Sequence, residues 1–159
     1  MTIETALLID HRDAIAALTA LLEAEWPDWY NARGASARAD LSERMRRDGL
    51  PLGIIAIRDG DVVGTCALTA SSGGLVTERS PWLGGLVVDP RARRQGVASA
   101  LLARAKVEAR RLGYERLHSL TAEAVPLFEQ QRWTTVEVVQ LSGKKHWIFA
   151  TSIPARVEI

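Results

Sequence analysis

The sequence predicts one α/β domain, spanning residues 1–159, in which about seven strands alternate with about four helices. Three observations carry this. An apolar run, Leu86-Val87-Val88, stops at Asp89-Pro90, and a helical pattern begins a short basic loop later at Val97. Two β-rich runs, Leu52 to Ile57 and Val62 to Thr69, flank Arg58-Asp59-Gly60-Asp61, a strong hairpin signal. A second such pair, Thr134 to Leu141 and His146 to Thr151, flanks Ser142-Gly143-Lys144.

The elements follow in order. Thr2 to Leu8 reads as the first strand. Asp10 is placed to cap a helix running to about Glu25, with Ile15, Leu18 and Leu22 on one face. Pro27 breaks that helix inside Glu25-Trp26-Pro27-Asp28-Trp29-Tyr30, a segment that gathers three aromatics. A shorter helix is expected from about Ala37 to Arg47, ended by Gly49-Leu50-Pro51. After the first hairpin, Ser71-Ser72-Gly73-Gly74 reads as a flexible loop and Trp82 to Val88 as a strand. Val97 to Leu112 is the clearest helix. Ala98, Leu102, Ala105, Ala109 and Leu112 recur at helical spacing, and Gly113 stands where a left-handed cap belongs. A strand near Arg116 to Thr121, a short helix near Glu123 to Gln131 and the closing hairpin complete the order β-α-α-β-β-β-α-β-α-β-β.

Composition narrows the function classes. Hydrophobic residues make up 47% of the chain, enough for a sizeable core, and the formal net charge is +1, which points to neither nucleic acid nor membrane. The single cysteine, Cys66, excludes an internal disulfide and any multi-cysteine metal site; it reads as a buried thiol in a strand. No metal is expected. Acidic residues come early and no long apolar run follows, so no signal peptide is read and a cytoplasmic location is the expectation.

The strand, basic loop and helix start between Leu86 and Ala98 make a site for an anion. Backbone N–H groups at a helix start lack intrahelical partners, and the helix dipole adds positive potential there. Gly96 lets the backbone approach a ligand with no Cβ in the way. The same spacing also suits a plain strand-to-helix turn with a solvated basic loop. It is neither a dinucleotide fingerprint, since the first glycine is missing, nor a Walker loop, since no Gly-Lys-Ser/Thr is present.

Arg93-x-x-Gly96-x-Ala98, with Leu86, Val88 and Pro90 in register before it, resembles the acetyl-CoA motif of the GCN5-related N-acetyltransferases. The element order is similar to that family along nearly the whole chain. Ser80-Pro81-Trp82-Leu83 and Leu127-Phe128-Glu129 resemble a bacterial subgroup of it. The resemblance implies a central mixed, mostly antiparallel sheet and an acetyl group moved from acetyl-CoA to an amine by direct attack. It implies a diphosphate held by Arg93, Arg94, Gln95, Gly96, Val97, Ala98 and Ser99. It also implies a strand bulge that exposes the main chain of Leu86, Val87 and Val88 to the pantetheine.

Acetyl transfer further needs a neutral amine, which costs roughly 4.6 kcal/mol at pH 7 for a lysine-like group. Many relatives use a carboxylate on the cofactor strand, but Leu83-Gly84-Gly85-Leu86 carries none. Glu78 is the nearest one upstream and the leading candidate for a base; Glu25, His118 and His146 are the others. Relatives often place a tyrosine where this chain has Phe128, which cannot protonate a leaving thiolate. Trp26, Trp29, Tyr30 and Trp82 are candidate walls of the acceptor cleft, because aromatic faces attract apolar and cationic groups. They suit a core equally well. The expected partner is a small-molecule or peptide amine, without nucleic acid or membrane, and a homodimer is left open. Two alternatives stand beside the enzyme: a catalytically weak or silent acetyl-CoA-binding sensor, kept alive by Phe128, and a nucleic-acid-binding module, suggested only by Arg91-Ala92-Arg93-Arg94.

Overall fold

A computed structural model describes residues 2–32, 35–72 and 75–154. Seven strands form one sheet: β1 (Ile3–Leu7), β2 (Leu52–Arg58), β3 (Asp61–Thr69), β4 (Trp82–Val88), β5 (Arg116–Thr121), β6 (Thr134–Leu141) and β7 (Lys144–Ser152). Their order across the sheet is β1-β2-β3-β4-β5-β7-β6. Every neighbouring pair is antiparallel except β4 and β5. This is the expected mixed, mostly antiparallel sheet.

The two hairpins form as their turn residues direct. Asp59 and Gly60 take φ of 51° and 84°, and Ser142 and Gly143 take 52° and 75°, the positive values a two-residue turn needs to match strand twist. Lys144, expected in the second turn, opens β7 instead. Of the loop expected at Ser71 to Gly74, Gly73 and Gly74 lie outside the described residues.

Four α-helices flank the sheet: α1 (Ile15–Glu25), α2 (Ala37–Glu43), α3 (Val97–Arg111) and α4 (Val125–Gln130). Asp10 does not cap α1. Its carboxylate is taken by Arg47, and two single turns of tighter helix, Leu8–Asp10 and Arg12–Ala14, lead into the helix without a side-chain cap. Ser36 caps α2, accepting from the Ala39 N–H at 3.0 Å. Leu18, Leu22 and Leu41 of α1 and α2 pack with Ile55 and Val87 on one face of the sheet. On the other face, Leu101, Leu102, Ala105 and Ala109 of α3 and Phe128 of α4 pack with Ile54, Cys66 and Leu83. Fully burying one such leucine contributes about 1.5–3 kcal/mol, so these two layers hold the sheet and the elements around it. Glu108 is buried beside them, but its two oxygens meet Arg104 at 2.9 Å and Arg111 at 2.7 Å, so its charge is compensated.

The sheet parts in the middle. β4 and β5 share only two registered pairs, Trp82 with His118 and Leu83 with Ser119. The His118 N–H donates to the Pro81 carbonyl at 3.1 Å, and the Ser119 hydroxyl donates to the Leu83 carbonyl at 2.9 Å. Beyond Leu83 the two strands diverge, and a cleft opens between them.

Candidate active site

A bulge in β4 accompanies the divergence. Thr65 pairs with Val87 and Ala67 with Gly84, so Gly85 and Leu86 together face Cys66 alone. Gly85 has φ of +60°, a backbone state that suits glycine. The bulge therefore begins one residue before the expected Leu86 to Val88 and removes backbone groups there from regular pairing.

Arg44, which no local pattern singled out, lies beneath the bulge. A Cβ built on Gly53 would come within 3.1 Å of the Arg44 Cβ, and one built on Gly85 within 3.1 Å of its Nη1. The side chain thus runs across the sheet from β2 to β4, where two glycines leave it room. Its Nη1 is buried and has no hydrogen-bond partner among the described residues.

The loop after β4 is built largely of backbone. Asp89 fixes its first turn by accepting from the Arg91 N–H at 2.9 Å. The Arg91 hydrogen bonds hold the Asp89 carboxyl below its ordinary value. Gly96 precedes α3 with φ of +83°, and no atom lies within 4 Å of the place its Cβ would occupy. Open space thus stands over the helix start, whose first N–H groups have no side-chain cap. A cavity of about 670 Å³ lies there, lined by Leu86, Val87, Val88, Arg93, Arg94, Gly96, Val97, Ala98 and Ser99 among others. Of the residues expected to hold a diphosphate, only Gln95 is absent from this wall; its side chain accepts from Arg58. Uncapped N–H groups at a helix start, two arginines and open space over a glycine suit an anionic group such as a diphosphate.

A second cavity, of about 560 Å³, occupies the gap between β4 and β5. Leu83 to Leu86 form one wall, Ser119 to Ala124 the other, and Trp26, Phe128, Lys144 and His146 close it. Glu25, Leu86, Glu123 and Ala124 line both cavities, so the two run together. Ion pairs stand where they meet and at the rim: Glu25 with Arg93 at 3.2 Å, and Glu123 with Lys144 at 2.6 Å. The Lys144 ammonium holds the Glu123 carboxyl below its ordinary value.

Several expected site residues lie elsewhere. Glu78 is exposed and lines neither cavity. The chain beside it is anchored inward by Trp82, whose indole N–H donates to the Arg79 carbonyl at 2.7 Å, and by Arg79, paired with Glu137 at 2.6 Å; Glu78 is left facing solvent. Of the four aromatics, only Trp26 reaches the cleft. Trp82 is fully buried against His118, with ring centroids 5.5 Å apart. Tyr30 is buried with its hydroxyl donating to Asp40 at 3.0 Å, and burial followed by that carboxylate pushes its pKa up to about 12. Trp29 is 46% exposed and outside the cavity wall. The burial of Trp82 and Tyr30 is the ordinary packing of large apolar rings, which sequence cannot separate from a cleft wall.

His118 is buried too. One carbonyl, that of Pro81, receives both its backbone N–H and its ring Nδ1, and burial pushes the imidazole below its ordinary pKa. Phe128 lines the cleft but packs in an aromatic group, stacked on Phe149 at 5.2 Å and edge-on to Trp133 at 5.0 Å. The basic run is not a free cationic stripe, because Arg91 is paired with Asp89 and Arg93 with Glu25. Among the described residues no helix is long and apolar enough to cross a membrane.

Comparison with known proteins agrees with this geometry. The sequence model of the acetyltransferase (GNAT) family matches residues 18–132. No curated protein matches the sequence. Solved structures do match the fold. An aminoglycoside 6'-acetyltransferase type Ii superposes with a TM-score of 0.77 at 19% identity, covering 99% of this chain and 100% of that one. An aminoglycoside 6'-N-acetyltransferase complexed with coenzyme A gives 0.76 at 16% identity, with coverage of 99% and 100%. The ribosomal-protein-S18-alanine N-acetyltransferase from Escherichia coli gives 0.68 at 17% identity, covering 99% and 97%. From the motif, the divided sheet and the family match, the chain belongs to the GNAT family of acetyltransferases, whose acyl donor is acetyl-CoA.

Proposed function

We propose that this protein moves the acetyl group of acetyl-CoA to an amine, with both substrates bound in the divided sheet. The observation that carries the reading is the continuity of the two cavities across the β4 bulge. In this reading the diphosphate lies on the N–H groups of Gly96 to Ser99, with Arg93 and Arg94 beside it. The pantetheine runs along Leu86, Val87 and Val88, and a main-chain N–H freed by the bulge polarises the thioester carbonyl. The amine enters at the end lined by Trp26, Lys144 and His146, and attacks directly, without an acyl-enzyme. The neighbouring acetyltransferases named for aminoglycosides and for the alanine of ribosomal protein S18 support an amine acceptor without selecting one.

The test is coenzyme A thiol release from acetyl-CoA with lysine, spermidine, kanamycin and an alanine-initiated peptide. Thiol release above the amine-free rate with one of them is the expected result. Absence of both thiol release and acetyl-CoA binding in calorimetry overturns the reading. Phe128, buried where relatives often carry a tyrosine, favours one rival, a protein that binds acetyl-CoA and reports it. Tight binding with no turnover across the four amines selects that rival.

A further inference from the structure

His146 lies on the wall of the cavity between β4 and β5, and resting on the acetyl-transfer reading, we infer that it is the general base of the reaction. It lies on β7 opposite Val139 of β6, half-buried, and lines the cavity between β4 and β5. It does not line the cavity over the α3 start, so it belongs to the end away from the diphosphate loop. Its Nδ1 is 2.8 Å from the Lys144 carbonyl oxygen. A carbonyl can only accept, so Nδ1 is the donor in this contact, and Nε2 is the ring nitrogen left for an acceptor.

The other charged groups of that cavity are committed. Glu25 is paired with Arg93, and Glu123 with Lys144. Lys145, the next residue on β7, lies with its ammonium 4.9 Å from the Trp147 ring centre. Glu137 on β6 is held by Arg79. No hydrogen bond occupies His146 Nε2 among the described residues. Of the candidates the sequence offered, Glu78 is outside the cleft, Glu25 is ion-paired and His118 is buried against Trp82. His146 joins a place on the cleft wall to a ring nitrogen that no ion pair or hydrogen bond occupies among the described residues.

The step balances simply. Nε2 takes one proton from the acceptor ammonium and passes it to solvent. The neutral amine nitrogen attacks the thioester carbonyl carbon. The C–N bond forms as the C–S bond breaks, and the nitrogen's surplus proton goes to the departing thiolate, giving the amide and the thiol.

Two measurements decide it. The first follows thiol release against pH with the same four amines, for the wild type and His146→Gln. Expected is an acidic limb in the wild-type profile that the variant lacks, with kcat lowered about 10²-fold or more, in the range of a lost general base, and the KM for acetyl-CoA within about twofold. A variant that keeps the rate and the limb overturns the inference. The second is the ¹⁵N NMR spectrum of the imidazole at neutral pH, which needs no acceptor. Expected is a proton on Nδ1 and none on Nε2; the opposite tautomer overturns the inference. No thiol release by the wild type with any of the four amines is a different failure, that of the acetyl-transfer reading itself.

Discussion

The loop over the start of α3 and the cleft between β4 and β5 meet at Leu86, yet they are built by opposite means. The loop is a site of backbone. Its N–H groups, one positive-φ glycine and the end of a helix come from residues 89–99 in unbroken sequence. The cleft is a site of side chains. Trp26 arrives from the end of α1, Phe128 from α4 and His146 from β7, and they meet only because β4 and β5 part. A backbone site depends on spacing and tolerates exchange of its side chains. A side-chain site depends on where distant elements dock.

Changes at the two regions should therefore separate. The largest effect belongs to Gly96→Val, which forces a branched residue into a φ of +83° and fills the open space over the helix start. Coenzyme A affinity should fall about 100-fold or more in calorimetry, roughly 2.7 kcal/mol; unchanged affinity would break the contrast at its root. Trp26→Ala should act on the other side only. It should raise the acceptor KM about fivefold, since an aromatic contact of this kind is worth roughly 0.5–1.5 kcal/mol, and leave coenzyme A affinity alone. A matching loss of coenzyme affinity would mean that the two cavities are one energetic unit.

The junction where the strands part is the third place to probe. Burial holds His118 below the ordinary imidazole pKa of 6.5, so the unfolded chain binds its proton more readily than the folded one. Stability should be intact above the ordinary imidazole pKa of 6.5 and fall as pH drops below it. Thermal melts should show a shallower acid decline in His118→Gln than in the wild type. Phe128→Tyr should do less. Turnover should rise or stay unchanged, because a coenzyme thiol already leaves adequately. A large fall with the fold intact would reveal an acceptor contact at Phe128. Glu78→Gln should do least, changing both turnover and coenzyme affinity by less than about twofold, as surface substitutions usually do. A clear loss of rate in that variant would bring Glu78 back into the cleft in the working enzyme.

This contrast explains which features were legible beforehand. All seven strands were placed within a residue or two, because alternation, hairpin turns and the Asp89-Pro90 stop are local signals. The loop and helix start after β4 were legible for the same reason, and the residues named there line one cavity apart from Gln95, whose side chain accepts from Arg58 of another strand. Asp10 looked like a helix cap and became an ion-pair partner, since Arg47, 37 residues away, competes for its carboxylate. Trp82 and Tyr30 looked like cleft walls and became core, while Trp26 did reach the cleft.

The sequence by itself determined the element order, the two hairpin turns and a helix start behind a left-handed glycine. Each is decided by backbone conformation over a few adjacent residues, which local side chains control directly. Tertiary structure alone decided where β4 leaves β5, that Arg44 lies beneath the bulge, and that His146 rather than Glu78 borders the cleft. Those depend on packing between elements far apart in the chain, where the burial of one ring or the pairing of one carboxylate chooses among residues that look alike in sequence.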